Sequence, residues 1–183
     1  TYLRPALLED RDRSVRIELS LVNRSDDPMP AGLGIHPWFR RPVLVAIRGD
    51  AVYSPNDATP PLPEPVHGRF DLRRLGEMAA GLDATWTGFA EPSAEPSAEP
   101  PVELRWPNLG LRATMRIVFP TIYVVAASPG HLDAIALEPQ THAPHGLRRL
   151  IRGEPGGLTM LDPGQTLGLG VELAFERLEN RTS

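Results

Sequence analysis

The sequence predicts an all-β chain: one large antiparallel sandwich domain spanning residues 1–183. Three observations carry this. Several stretches alternate apolar and polar residues with a period of two, turn chemistry separates them at short intervals, and only one segment has helical spacing. A chain of 183 residues is long enough for one substantial core.

The elements follow in order. SVRIELSLVN places Val15, Ile17, Leu19 and Leu21 on one side and Ser14, Arg16, Glu18 and Ser20 on the other, the pattern of a half-buried strand. NRSDDPMP, residues 23–30, is a turn. PVLVAIRGD reads as a strand ended by Gly49. DLRRLGEMAAGL, residues 71–82, is the exception: Leu72, Leu75 and Met78 have i, i+3 spacing and predict a helical turn. EPSAEPSAEPP, residues 91–101, is low in complexity and expected as an extended surface loop. VELRWPN and LRATMRIVF form a hairpin around Pro107, Asn108 and Gly110. IYVVAAS is continuously apolar, as in a strand buried on both faces, and DAIALEP follows it. QTLGLGVELAFERL turns Leu167, Leu169, Val171, Leu173 and Phe175 inward.

Composition narrows the function classes. The net charge is −4 with no basic block, so neither nucleic acid nor an anionic membrane is the expected partner. All 19 basic residues are arginine, which reads as compositional bias. Cysteine is absent, which removes disulfides, thiolate nucleophiles and zinc-thiolate sites. No apolar run is long enough to span a bilayer, and TYLRPALLEDRDR lacks the apolar core of a signal peptide. A cytoplasmic protein, monomer or homodimer, is expected.

Chemistry-bearing residues concentrate in four places. AGLGIHPWF sets His36 after two glycines and before a proline-aromatic corner, so the imidazole is held in one direction. ALEPQTHAPHG carries Glu138 at the end of an apolar strand, where ionisation is costly unless the carboxylate is paired; the bland alternative is a strand-end carboxylate facing solvent. Asp83 in GLDATWTGF fits a turn or cap as well as a site. His142 and His145 have H-x-x-H spacing but no evident third ligand, so no metal site is expected.

These motifs together resemble the aldose 1-epimerase (galactose mutarotase) family. NRSDDPMPAGLGIHPWF resembles its His-Pro-aromatic-Phe segment, LDAIALEPQT its Glu-Pro-x-Thr segment, GLDATWTGF its Leu-Asp segment, and LDPGQTL its turn before the last strand. Order and approximate spacing agree in all four. The resemblance implies a galactose mutarotase-like supersandwich, with this chain matching its C-terminal portion. It also implies His36 as catalytic acid, Glu138 as catalytic base and Asp83 as an acceptor for sugar hydroxyls. Interconversion of α and β anomers needs one acid and one base poised on opposite sides of a sugar, and no cofactor. Trp38 and Trp86 are candidate substrate-binding residues, because aromatic faces suit the C–H faces of a pyranose; Phe39 and Phe89 are expected in the core. Arg40 and Arg41 are expected on a solvated strand edge, with a phosphate contact as the alternative. Ala84 stands where many members have a second acidic residue, a difference expected to bear on specificity. An arginine and a second histidine from the family's N-terminal half have no counterpart here. The partner implied is a small-molecule aldose. A hexose-phosphate mutarotase and a non-catalytic sugar-binding or sensor protein on the same fold are the alternatives.

Overall fold

The computed structural model describes residues 13–54, 62–90, 99–117 and 123–178, and the backbone of residues 2–11. Most of the low-complexity segment expected as a loop, residues 91–98, lies outside the described residues.

Two six-stranded sheets form the molecule. The first runs β1 (Tyr2–Arg11), β2 (Ser14–Val22), β14 (Thr166–Arg177), β10 (Leu111–Ile117), β9 (Val102–Trp106), β5 (Leu44–Ile47). The second runs β4 (Trp38–Arg40), β12 (Ala134–Gln140), β11 (Tyr123–Ser128), β8 (Leu82–Thr87), β6 (Ala51–Tyr53), β7 (Glu64–Pro65). A two-stranded ribbon pairs β3 (Met29–Ala31) with β13 (Thr159–Leu161), so the end of the expected turn at 23–30 is already strand. All the described strand pairs are antiparallel. The predicted all-β architecture is therefore the observed one.

The core lies between the two large sheets. Ile47, Leu104, Met115, Leu169 and Val171 enter it from the first sheet, and Leu82, Trp86, Val124, Ile135 and Leu137 from the second. Leu169, Val171 and Leu173 are buried and Leu167 and Phe175 pack against the same core, as the alternation in β14 requires. The hairpin of β9 and β10 pairs Trp106 with Leu111, and Gly110 makes the corner in the left-handed region at φ +56°.

Three local readings differ from the structure. The N-terminal stretch forms β1, an edge strand, where Pro5 is tolerated because one face of the ladder has no partner. Residues 71–78 form no helix: Gly76 bridges Val45, and the Ile47 amide donates to the Leu72 carbonyl at 2.7 Å. The free edge of β5 thus captures this segment at Leu72 and Gly76, with a bend over residues 73–75 between the two contacts. The α-helix described is instead α1 (Gly146–Arg152), closed by Gly153 at φ +65°.

Candidate functional site

His36 and Glu138 are brought together by strand register. The β4–β12 ladder pairs Trp38 with Ala136, and beyond it Gly34 bridges Gln140. The same register between these points sets His36 opposite Glu138. Hydrogen bonds flank the pair: the Ile35 amide donates to the Pro139 carbonyl at 3.1 Å, and the Leu137 amide to the Pro37 carbonyl at 3.3 Å. The pair itself is therefore non-hydrogen-bonded, the type whose side chains stand closest across an antiparallel ladder. The two amides that would close the ring around it belong to residues 37 and 139, both proline and neither able to donate.

The side chains meet. His36 Nε2 lies 2.8 Å from Glu138 Oε1, with the imidazole 52% exposed and the carboxylate only 13%. With the carboxylate ionised, Nε2 carries the shared hydrogen. Gln140, two residues on and on the same face, donates from Nε2 to Glu138 Oε2 at 3.4 Å. Burial pushes the Glu138 pKa up; the nearby His36 and the Gln140 hydrogen bond pull it down, and the charge of Asp83 raises it again. The Trp38 ring stacks on His36, with centroids 5.1 Å apart and planes 29° from parallel. The indole remains half exposed.

Asp83 lies on the same outer face of the second sheet. Ala127 pairs with Ala136 on one side and with Asp83 on the other, so the row runs Trp38, Ala136, Ala127, Asp83. The adjacent row runs Glu138, Val125, Thr85, Tyr53. Val125, Ala127 and Ala136 lie between the aspartate and the His36–Glu138 pair on this face, with Ala136 fully buried. Asp83 and Glu138 stand two strand spacings and one two-residue step apart, about 12 Å between their backbones.

Trp86 does not join them. Its side chain points to the other face of β8, is fully buried, and donates from Nε1 to the Phe70 carbonyl at 3.0 Å. It is a core residue, and the expectation that it binds substrate is corrected by the alternation of its strand. Ala84 also faces inward and is buried, so an acidic side chain there would enter the core. Phe39 is buried and Phe89 packs against the core, as expected. Arg40 is solvent-exposed beside Asp133, while Arg41 is partly buried and donates to Ser128 Oγ.

Neither Gly32 nor Gly34 has positive φ. Gly32 serves close approach: a Cβ there would overlap the His142 ring and stand 2.7 Å from Leu158 Cδ2. His142 is thereby wedged between Gly32 and Gly146, with Nδ1 donating to the Ala143 carbonyl at 3.0 Å. His145 occupies the left-handed region before α1. Gln140 is a site residue that the sequence reading missed; Thr85 and Tyr53 share its face of the sheet but are buried, Tyr53 in a cluster with Tyr123 and Ala143. Gln140 had a signal, two positions from Glu138 in a strand; Thr85 and Tyr53 are placed only by register.

No family model matches the chain, and no curated protein matches its sequence. Its likenesses are to solved structures. The GalM/aldose epimerase homologue from C. elegans superposes with a TM-score of 0.77 at 12% identity, over 97% of this chain and 60% of that one. A galactose mutarotase-like protein from Clostridium acetobutylicum gives 0.74 at 16% identity, over 90% and 53%. A galactose 1-epimerase from Lactobacillus acidophilus NCFM gives 0.56 at 15%, over 97% and 66%. The chain spans between about half and two thirds of the length of these structures. The protein has the galactose mutarotase-like fold.

Proposed function

We propose that the protein is an aldose 1-epimerase, with Glu138 as general base and His36 as general acid. The observation that carries this reading is the contact between His36 Nε2 and Glu138 Oε1, 2.8 Å long, on the open face of a galactose mutarotase-like sheet.

The proton transfers balance without any other reactant. Glu138 takes the proton of the C1 hydroxyl, and the freed pair becomes the C1=O bond. The C1–O5 bond breaks, its electrons go to O5, and His36 gives O5 a proton. The aldehyde turns about C1–C2 and the steps run in reverse on its other face. O1 and O5 share one carbon, so an acid and base side by side reach both. The expectation that they flank opposite sides of the sugar is therefore replaced by adjacent placement. A carboxylate with a raised pKa is a stronger base than an ordinary one, which supports Glu138 in that role. Asp83 accepts hydrogen bonds from ring hydroxyls, and the exposed Trp38 face meets apolar C–H groups.

Polarimetry of freshly dissolved α-D-glucose and α-D-galactose tests the proposal. The protein should accelerate mutarotation above buffer, and Glu138→Gln and His36→Asn should each lose about 10²–10⁴-fold. Equal rates with protein and with buffer would overturn the assignment of activity. A variant turning over at the wild-type rate would overturn the role of that residue.

A further inference from the structure

We propose that the face opposite this site carries a second site, which binds a phosphate-type oxyanion in an arginine-lined cavity over β5, β9 and β10. The cavity has a volume of about 650 Å³. Arg48, Arg73, Arg74, Arg105, Arg112 and Arg116 line it, against Glu99, Glu103 and Glu176. The lining is thus in positive excess although the chain carries a net charge of −4.

Alternation in the strands builds this face. Val102, Leu104, Ala113 and Met115 are buried in the core, so Glu103, Arg105, Arg112, Thr114 and Arg116 project outward. The non-helical segment on the β5 edge supplies the rim. The Val45 amide donates to the Gly76 carbonyl at 2.8 Å and Gly76 returns the bond at 3.0 Å, which holds Arg73 and Arg74 beside the cavity.

Glu103 organises the floor. It is almost fully buried and accepts from Arg105 at 2.8 Å, Arg48 at 2.9 Å and Arg112 at 2.9 Å. Each guanidinium has five N–H donors, far more in sum than one carboxylate can accept. Arg48 also meets Glu99, and Arg112 also meets Glu176. Surplus donors remain on side chains whose rotamers are already fixed, so an arriving anion orders little further. The Arg116 and Arg74 guanidinium groups make no hydrogen bond or ion pair with a described residue, although the Arg74 charge is felt by Asp71. The combination favours a multiply charged oxyanion over a neutral sugar or a chloride ion, because planar guanidinium forks match its oxygens in pairs.

The test is calorimetric titration of the whole chain with inorganic phosphate and pyrophosphate at constant ionic strength set with chloride. Saturable binding is expected. Arg116→Gln/Arg74→Gln should weaken it about tenfold or more, the loss of charge-assisted hydrogen bonds. Arg24→Gln, an exposed arginine on the turn after β2, should leave it unchanged. Absence of saturable binding would overturn the proposal, as would equal binding by the double variant. Binding should also survive Glu138→Gln, so this site and the mutarotase reading fail or stand separately.

Discussion

Glu103 should make the fold acid-sensitive by an amount that can be worked out. Burial raises the pKa of its carboxyl, but hydrogen bonds from Arg112, Arg48 and Arg105 outweigh that and hold it at about 2, against 4.5 for a free glutamate. A folded pKa below the unfolded one means stability that is present above pH 4.5 and lost as pH falls toward 2. The displacement is worth up to about 3 kcal/mol at 1.36 kcal/mol per unit, less whatever water in the cavity screens. Urea denaturation of the wild type and of Glu103→Gln isolates most of this contribution, because the titration of groups that do not share its arginines, as Glu99 and Glu176 do, cancels in the difference. Glu103→Gln should be the less stable at neutral pH, since three guanidinium groups lose their common acceptor. The gap should narrow by about 2–3 kcal/mol between about pH 5 and pH 2. A gap that stays constant over that range would refute the reasoning, whatever its size. The buffer should contain no phosphate, which would occupy the proposed cavity.

Two further predictions concern the site face. Burial raises the Glu138 pKa, so ionising it costs the folded state: the stability it contributes is complete below the ordinary glutamate range and declines as pH rises through the raised value. Glu138→Gln should therefore raise the thermal midpoint at neutral pH even as it removes turnover; a lowered midpoint in scanning calorimetry would contradict this. Gly32→Ala should destabilise by about 1–3 kcal/mol through overpacking against His142 and Leu158. In a double-mutant cycle His142→Ala should recover much of that loss, and strict additivity would show that the ring is not what excludes a side chain at position 32.

Local sequence accounts for most strands and fails where neighbours decide. The tetrapeptide Leu-Arg-Arg-Leu occurs twice, at residues 72–75 and 147–150. At 147–150 it lies in α1, where Gly146 lets the chain pass the His142 ring and Gly153 closes the end. At 72–75 the open edge of β5 offers backbone partners, and the identical residues form a bend without helix. The tetrapeptide alone does not distinguish the two; its flanks do differ, with Gly76 following the first copy and Ile151 the second. Trp86 shows the same limit at one residue: its aromatic ring fits a sugar or a core equally well, and only the face of β8 on which it falls decides. The arginine cavity was illegible for a related reason. Arg48, Arg73 and Arg112 come from three separate stretches, and no spacing in the chain announces that they converge.

The His36–Glu138 pair was legible across 102 positions only through the motifs that carry the family resemblance, and the ladder adds a feature that joins the two residues. Each residue is followed by proline. In an antiparallel ladder that sets 36 against 138, residue 37 faces 137 and residue 139 faces 35. The two prolines then fall at symmetry-related places, each deleting one of the two amides that would enclose the pair. The flanking pairs keep one hydrogen bond each rather than two. The backbone is held in register but open around its central pair, while Gly34–Gln140 and Trp38–Ala136 fix it on either side. A ladder closed by ordinary residues would set the same two side chains opposite each other in a tighter frame. The ladder thus explains why proline follows both residues, while the dipeptides alone do not specify the register, which Gly34–Gln140 and Trp38–Ala136 set.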